Sequence, residues 1–123
     1  MYELAVKQAL EGKTAKKRID SIIILTELGR TIDNDKLKAK DIDLEAVLIR
    51  IAESEKHPFV LGIVEASVSN NMRPESQIRI LEKLKQSPFL SDLKLRVTEK
   101  AIKRAHLRLE QEKQEKDKEK TKE

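Results

Sequence analysis

Apolar residues recur along this chain with helical spacing, interrupted by short polar breaks. Val6, Ala9 and Leu10 share one side of a helix expected over Tyr2 to Glu11, with Gly12 as its stop. A second helix is expected from Thr14 to Leu28. There Ile19, Ile22 and Ile23 keep helical spacing, and Gly29 stands where a left-handed residue ends many helices. With Ile24 and Leu25 added, the middle of this helix is apolar almost all round, which predicts a central position in a bundle. On that reading Ile23→Ala removes buried methyls at a cost of about 2–5 kcal/mol. A charged loop, "TIDNDKLKAKDID", follows, with room for one short turn.

The pattern resumes at Leu44, where Leu44, Val47, Leu48 and Ile51 occupy i, i+3, i+4 and i+7 behind Asp43 as N-cap. Three further starts are marked by Pro58, Pro74 and Pro88, 16 and 14 residues apart. Proline suits the first helical position, because the N–H it lacks has no partner there. Ser87 is a good cap for the last of these starts; His57 and Arg73 are poorer ones. "HPF" and "SPF" lie 30 residues apart, but aligning Ile51 to Ile63 with Leu81 to Leu93 leaves only Pro and Phe identical. The last helix is the longest: Leu95, Thr98, Ala101, Ile102, Ala105 and Leu109 fall on one arc, and beyond Leu109 there is no apolar residue.

These elements predict an all-α fold, a compact bundle of five to six helices, with the stacking of helical-repeat proteins as a variant. Residues 1–109 form the expected single domain. Residues 110–123 form a charged extension, a solvated helix end or a disordered tail. Composition agrees: aromatics are 2% of 123 residues, so Leu, Ile, Val and Ala must build the core. With no cysteine, disulfides, cysteine metal sites and thiol nucleophiles are excluded. The longest apolar run, "IIIL", falls far short of the roughly 20 residues that span a bilayer, and no signal-peptide pattern opens the chain. The expected location is intracellular and cytoplasmic, or the nucleus in a eukaryotic source, with no membrane partner.

Motifs of catalysis fare poorly. "EGKT" resembles the end of a phosphate-binding loop, but Lys7 stands where that loop needs glycine, and the residues before it read as helix. Asp33, Asp35, Asp41 and Asp43 suggest a calcium loop, yet Leu37, Lys38 and Leu44 occupy the positions of a ligand, the glycine and the glutamate. His57 and His106 have no companions at metal-ligand spacing. No enzyme, cofactor or metal is expected.

The cations carry the remaining signal. Lys13, Lys16, Lys17 and Arg18 cluster at the start of the second helix. From Lys94 to Arg108 six cations meet one acid, Glu99, a balance of +5 against +4 for the whole chain. Arg96, Lys100 and Lys103 form a stripe that Leu107 continues; a charge run of this kind reads first as a solvated helix face, and no aromatic lies nearby to stack bases. From Glu110 onward five lysines meet six acids, which makes the tail a poor partner for a polyanion. The expected function is a non-enzymatic interaction module or small regulatory adaptor for a protein partner. The alternative is a nucleic-acid-binding protein using both basic clusters. A helix-turn-helix over Pro58 to Gln86 would need a short turn, and "SVSNNMRP" reads as too long.

Overall fold

The computed structural model of the chain describes residues 2–31 and 43–121, and these form α-helices with no strand. In chain order they are α1 (Tyr2–Glu11), α2 (Ala15–Thr31), α3 (Leu44–Ser54), α4 (Pro58–Asn71), α5 (Pro74–Lys85) and α6 (Asp92–Thr121). The expected loop and calcium-loop positions over 32–42 lie outside the described residues.

Local chemistry explains most boundaries. Gly12 N donates to Gln8 O at 2.9 Å to close α1, and Lys17 N donates to Thr14 Oγ1 at 3.2 Å to cap α2. "EGKT" is therefore a helix stop and a helix cap. Asp43 accepts from Ala46 N at 3.1 Å at the head of α3. Pro58 and Pro74 occupy first helical positions as expected. His57 serves as a cap after all, its Nδ1 accepting from Phe59 N at 3.2 Å.

Three boundaries depart from expectation. Gly29 does not end α2, which runs on to Thr31; an interior glycine costs about 1 kcal/mol relative to alanine without breaking the hydrogen-bond ladder. Pro88 does not open a helix. Ser87 Oγ accepts from Phe89 N and Ser87 O accepts from Leu90 N, folding residues 87–90 into a turn. Helix α6 begins after Ser91, whose Oγ accepts from Lys94 N at 3.2 Å, with Asp92 favourably placed in the first turn. Finally, α4 continues to Asn71, so only Met72 and Arg73 join it to α5. Gln77 secures that joint, its buried amide donating to Met72 O at 2.6 Å and Ser69 O at 3.3 Å.

The helices stack in two layers. Helix α1 packs along α2, α2 along α4, α3 along α5, and α5 along α6, with smaller contacts of α1 with α3 and of α4 with α3, α5 and α6. Every extensive contact among the described residues thus joins helices one or two apart in the chain. Odd-numbered helices touch one another in chain order, as do even-numbered helices, which makes a compact bundle. The even helices start at one end. Arg18 near the start of α2 meets Glu55 just before α4, and the Lys94 stem lies against Gly62 in α4, where an added Cβ would meet Lys94 Cε at 3.0 Å.

The core runs through both layers: Ile22 and Leu25 of α2, Leu48 and Ile51 of α3, Val64 and Val68 of α4, and Ile80, Leu81 and Leu84 of α5. Ala101 and Ala105 give α6 a small-residue face against it. Helix α2 is not central. Four consecutive apolar residues point in four directions 100° apart, so Ile22 and Leu25 are buried while Ile23 is 38% and Ile24 58% exposed. The middle place belongs to α4, which touches α2, α3, α5 and α6. At the other extreme, α6 leaves the stack near Leu109, and its side chains from Glu110 to Lys118 are exposed.

Two stability outcomes follow by chemical and thermal denaturation. Ile22→Ala should cost about 2–5 kcal/mol through lost burial and a cavity, and Ile23→Ala under about 1 kcal/mol, since much of its side chain already meets water. Removing residues 112–123 should leave Tm within about 4 °C, because no apolar area is lost.

Candidate interaction surfaces

The outward arc of α6 is set by the same periodicity that buries Thr98, Ala101, Ile102 and Ala105. At 100° per residue, Leu93, Arg96, Lys100, Lys103 and Leu107 fall within about 80° of one another on the opposite side. Leu93 is 70% and Leu107 57% exposed, and the three cations between them are exposed as well. Lys100, Lys103 and Arg104 border a shallow cleft of about 440 Å³ with Val97 at its floor. Arg96, Lys100, Lys103 and Arg104 make no ion pair among the described residues. Like charges three and four residues apart on a helix destabilise it by about 0.2–0.5 kcal/mol per pair. Asp92 with Arg96 and Glu99 with Lys103 are acid-first i,i+4 pairs of similar size and opposite sign, so the stripe is close to neutral for the fold. Phe89, 43% exposed in the turn before α6, is the aromatic nearest to it in the chain.

The second basic cluster divides. Lys13, Lys16 and Lys17 are exposed at the head of α2, where cations oppose the helix dipole and no acid stands in the first turn. Arg18 turns away from them. Its Nε donates to Glu55 Oε2 at 2.9 Å, one terminal nitrogen to Glu55 Oε1 at 3.2 Å, and the other to Gly12 O at 2.8 Å. Glu55 Oε1 also accepts from His57 N at 3.1 Å. Glycine is required beside this group, since a Cβ on Gly12 would lie 2.5 Å from Gln8 O and 3.1 Å from Arg18 Cγ. Arg18 is thus a structural residue rather than a surface contact. Helix α4 packs on both α2 and α6, the helices that carry the two exposed clusters.

A third surface was missed in the sequence. Between α1 and α2 lies an apolar groove of about 470 Å³, lined by Tyr2, Leu4, Ile24, Leu25 and Leu28 among others. Leu4 and Ile24 are each 58% exposed along it. The Tyr2 hydroxyl is buried without a hydrogen-bond partner, and burial, then the Asp43 carboxylate, push its pKa above the ordinary tyrosine value. Leu4 was the available signal, since it lies off the arc of Ala5 and Ala9 that α1 buries.

His106 is exposed on α6, and His57 is occupied as a cap. Among the described residues no group of His, Cys, Asp or Glu is placed to hold a metal ion, and no helix is long and apolar enough to cross a membrane. Comparison with protein-family models, curated proteins and solved structures finds no match to the chain.

The two fates of the basic cluster on α2 are separable by urea denaturation. Arg18→Ala strands the Glu55 carboxylate, whose side chain is 6% exposed; it should cost about 2–4 kcal/mol. Lys17→Ala should change stability by less than about 0.5 kcal/mol.

Proposed function

We propose that the protein is a non-enzymatic helical interaction module, a small regulatory adaptor that binds a protein partner through the outer face of α6. The observation that carries this reading is the line of unpaired cations with an exposed leucine at each end. Single exposed leucines are ordinary. Leu93 and Leu107 are different in standing at the two ends of one narrow arc of exposed cations. An interface anchors on buried apolar side chains with charged groups around them.

Nucleic-acid binding is the second reading, favoured by the +5 balance between Lys94 and Arg108. If three phosphates meet the stripe, duplex affinity should fall with a log–log salt slope of about −3. A helix-turn-helix is a poor form of it. The joint between α4 and α5 is short enough, but α5 is covered by α3, α4 and α6 and carries near-balanced charge, which leaves it little free surface for a groove.

The test is a photo-crosslinking residue at Gln111, exposed one turn beyond Leu107, in cells of the native host. A nuclease-resistant adduct that disappears with Arg96→Gln, Lys100→Gln and Lys103→Gln together is expected. A nuclease-sensitive adduct would move the assignment to nucleic acid, and an adduct indifferent to the triple change would remove α6 from the function.

A further inference from the structure

The stripe on α6 has a period as well as a charge. Leu93, Lys100 and Leu107 are spaced by seven, and Arg96 and Lys103 stand three residues after the first two of them. Steps of three and four keep all five side chains on one side of the helix, with a leucine at each end and three cations between, so a helix laid along this side would meet the whole line. From Leu93 to Leu107 the line is about 21 Å long at 1.5 Å per residue. We infer that the occupant of this face is an acidic amphipathic helix of a partner protein, with apolar residues about two heptads apart and carboxylates between them. This rests on the protein-partner reading and specifies it.

Charge selects the partner's sign. Arg96, Lys100, Lys103 and Arg104 make no ion pair among the described residues, and Asp92 and Glu99 lie on one flank of the arc. Carboxylates on a partner helix recur with the same rise per residue, so each can meet a cation without distorting either chain. Two further observations decide against other occupants. A phosphate backbone offers nothing apolar to cover Leu93, 70% exposed, or Leu107, 57% exposed. A second copy laid stripe on stripe about Lys100 would set cation against cation. Helix–helix docking uses both features at once: the leucines supply apolar anchors and the cations exclude neutral and basic helices.

The test is selection of random peptides of about 20 residues displayed on phage. The full chain is the target, and the Arg96→Gln, Lys100→Gln, Lys103→Gln variant is used for counter-selection. Enriched peptides should be acidic, with Asp or Glu at steps of three and four and Leu, Ile, Phe or Met about 14 residues apart. The leading peptide should bind the triple variant at least about tenfold more weakly, and a Leu93→Ala, Leu107→Ala variant about tenfold more weakly. All five positions are exposed, and circular dichroism and melting of both variants should match the parent chain.

Enrichment of neutral or basic peptides, or no enrichment, would overturn the inference. So would binding indifferent to the two leucines, which would reduce the stripe to an unspecific polyanion site. A dimer of the full chain in sedimentation, lost in the triple variant, would assign the face to self-association instead. A nuclease-resistant crosslink at Gln111 that persists beside a failed selection overturns the acidic-helix partner alone. A nuclease-sensitive crosslink overturns the protein-partner reading with it.

Discussion

The junction of Arg18 and Glu55 holds the end of the stack together. Arg18 stands in the first turn of α2 and bonds the carbonyl of Gly12 beyond the end of α1. Glu55 is the residue after α3, and its carboxylate also receives His57 N at the threshold of α4. Four helix termini therefore meet in one charge-assisted group. A guanidinium is suited to this, because its planar fork reaches a carboxylate by two nitrogens and leaves a third donor for a backbone oxygen. The charges are mostly withdrawn from water, so each is viable only while the other is present. Gly12 has no room for a side chain because the Gln8 carbonyl would lie 2.5 Å from a Cβ there, with the Arg18 stem at 3.1 Å.

Much of the helical plan was legible in the sequence because its signals are local. Asp43, Pro58 and Pro74 act on the residues that follow them, and the structure uses each as chemistry expects. Pro88 misled because proline is equally at home in a turn, and Ser91 with Asp92 offered the better start a few residues on. The phase of α2 was illegible for another reason. An unbroken run such as Ile22 to Leu25 has no periodicity, and only the neighbours α1 and α4 decide which residues turn inward. The Arg18–Glu55 pair spans 37 residues, and no local rule joins two such positions. Of the candidate surfaces, the stripe on α6 was visible as charge. Its exposed leucines and the groove between α1 and α2 needed burial to be known.

Helix α6 shows how one sequence segment satisfies two demands. Its inner arc is Ala101, Ile102 and Ala105, with Thr98 turning its hydroxyl back to Lys94 O at 2.7 Å. Small side chains there let α5 approach, so the inner arc secures a long helix with little bulk. The outer arc, from Leu93 to Leu107, is left exposed. Past Leu109 the helix continues without a buried face, and i,i+4 and i,i+3 pairs such as Glu112 with Lys116 and Glu115 with Lys118 suit it to water.

The restriction of extensive contacts to helices one or two apart also bears on how the chain reaches and leaves its folded state. Contacts between consecutive helices close short stretches of chain, whereas α2 on α4 brings together positions as far apart as Arg18 and Glu55, 37 residues, and forms at a higher entropic cost. A stack of this kind need not open all at once. Its terminal hairpins hold neighbours on one flank, whereas α4 is gripped from both sides. The amide protons of α1 should thus exchange with solvent through a partial opening that leaves α4 and α5 closed, giving the molecule a gradient of local stability from its rim to its middle.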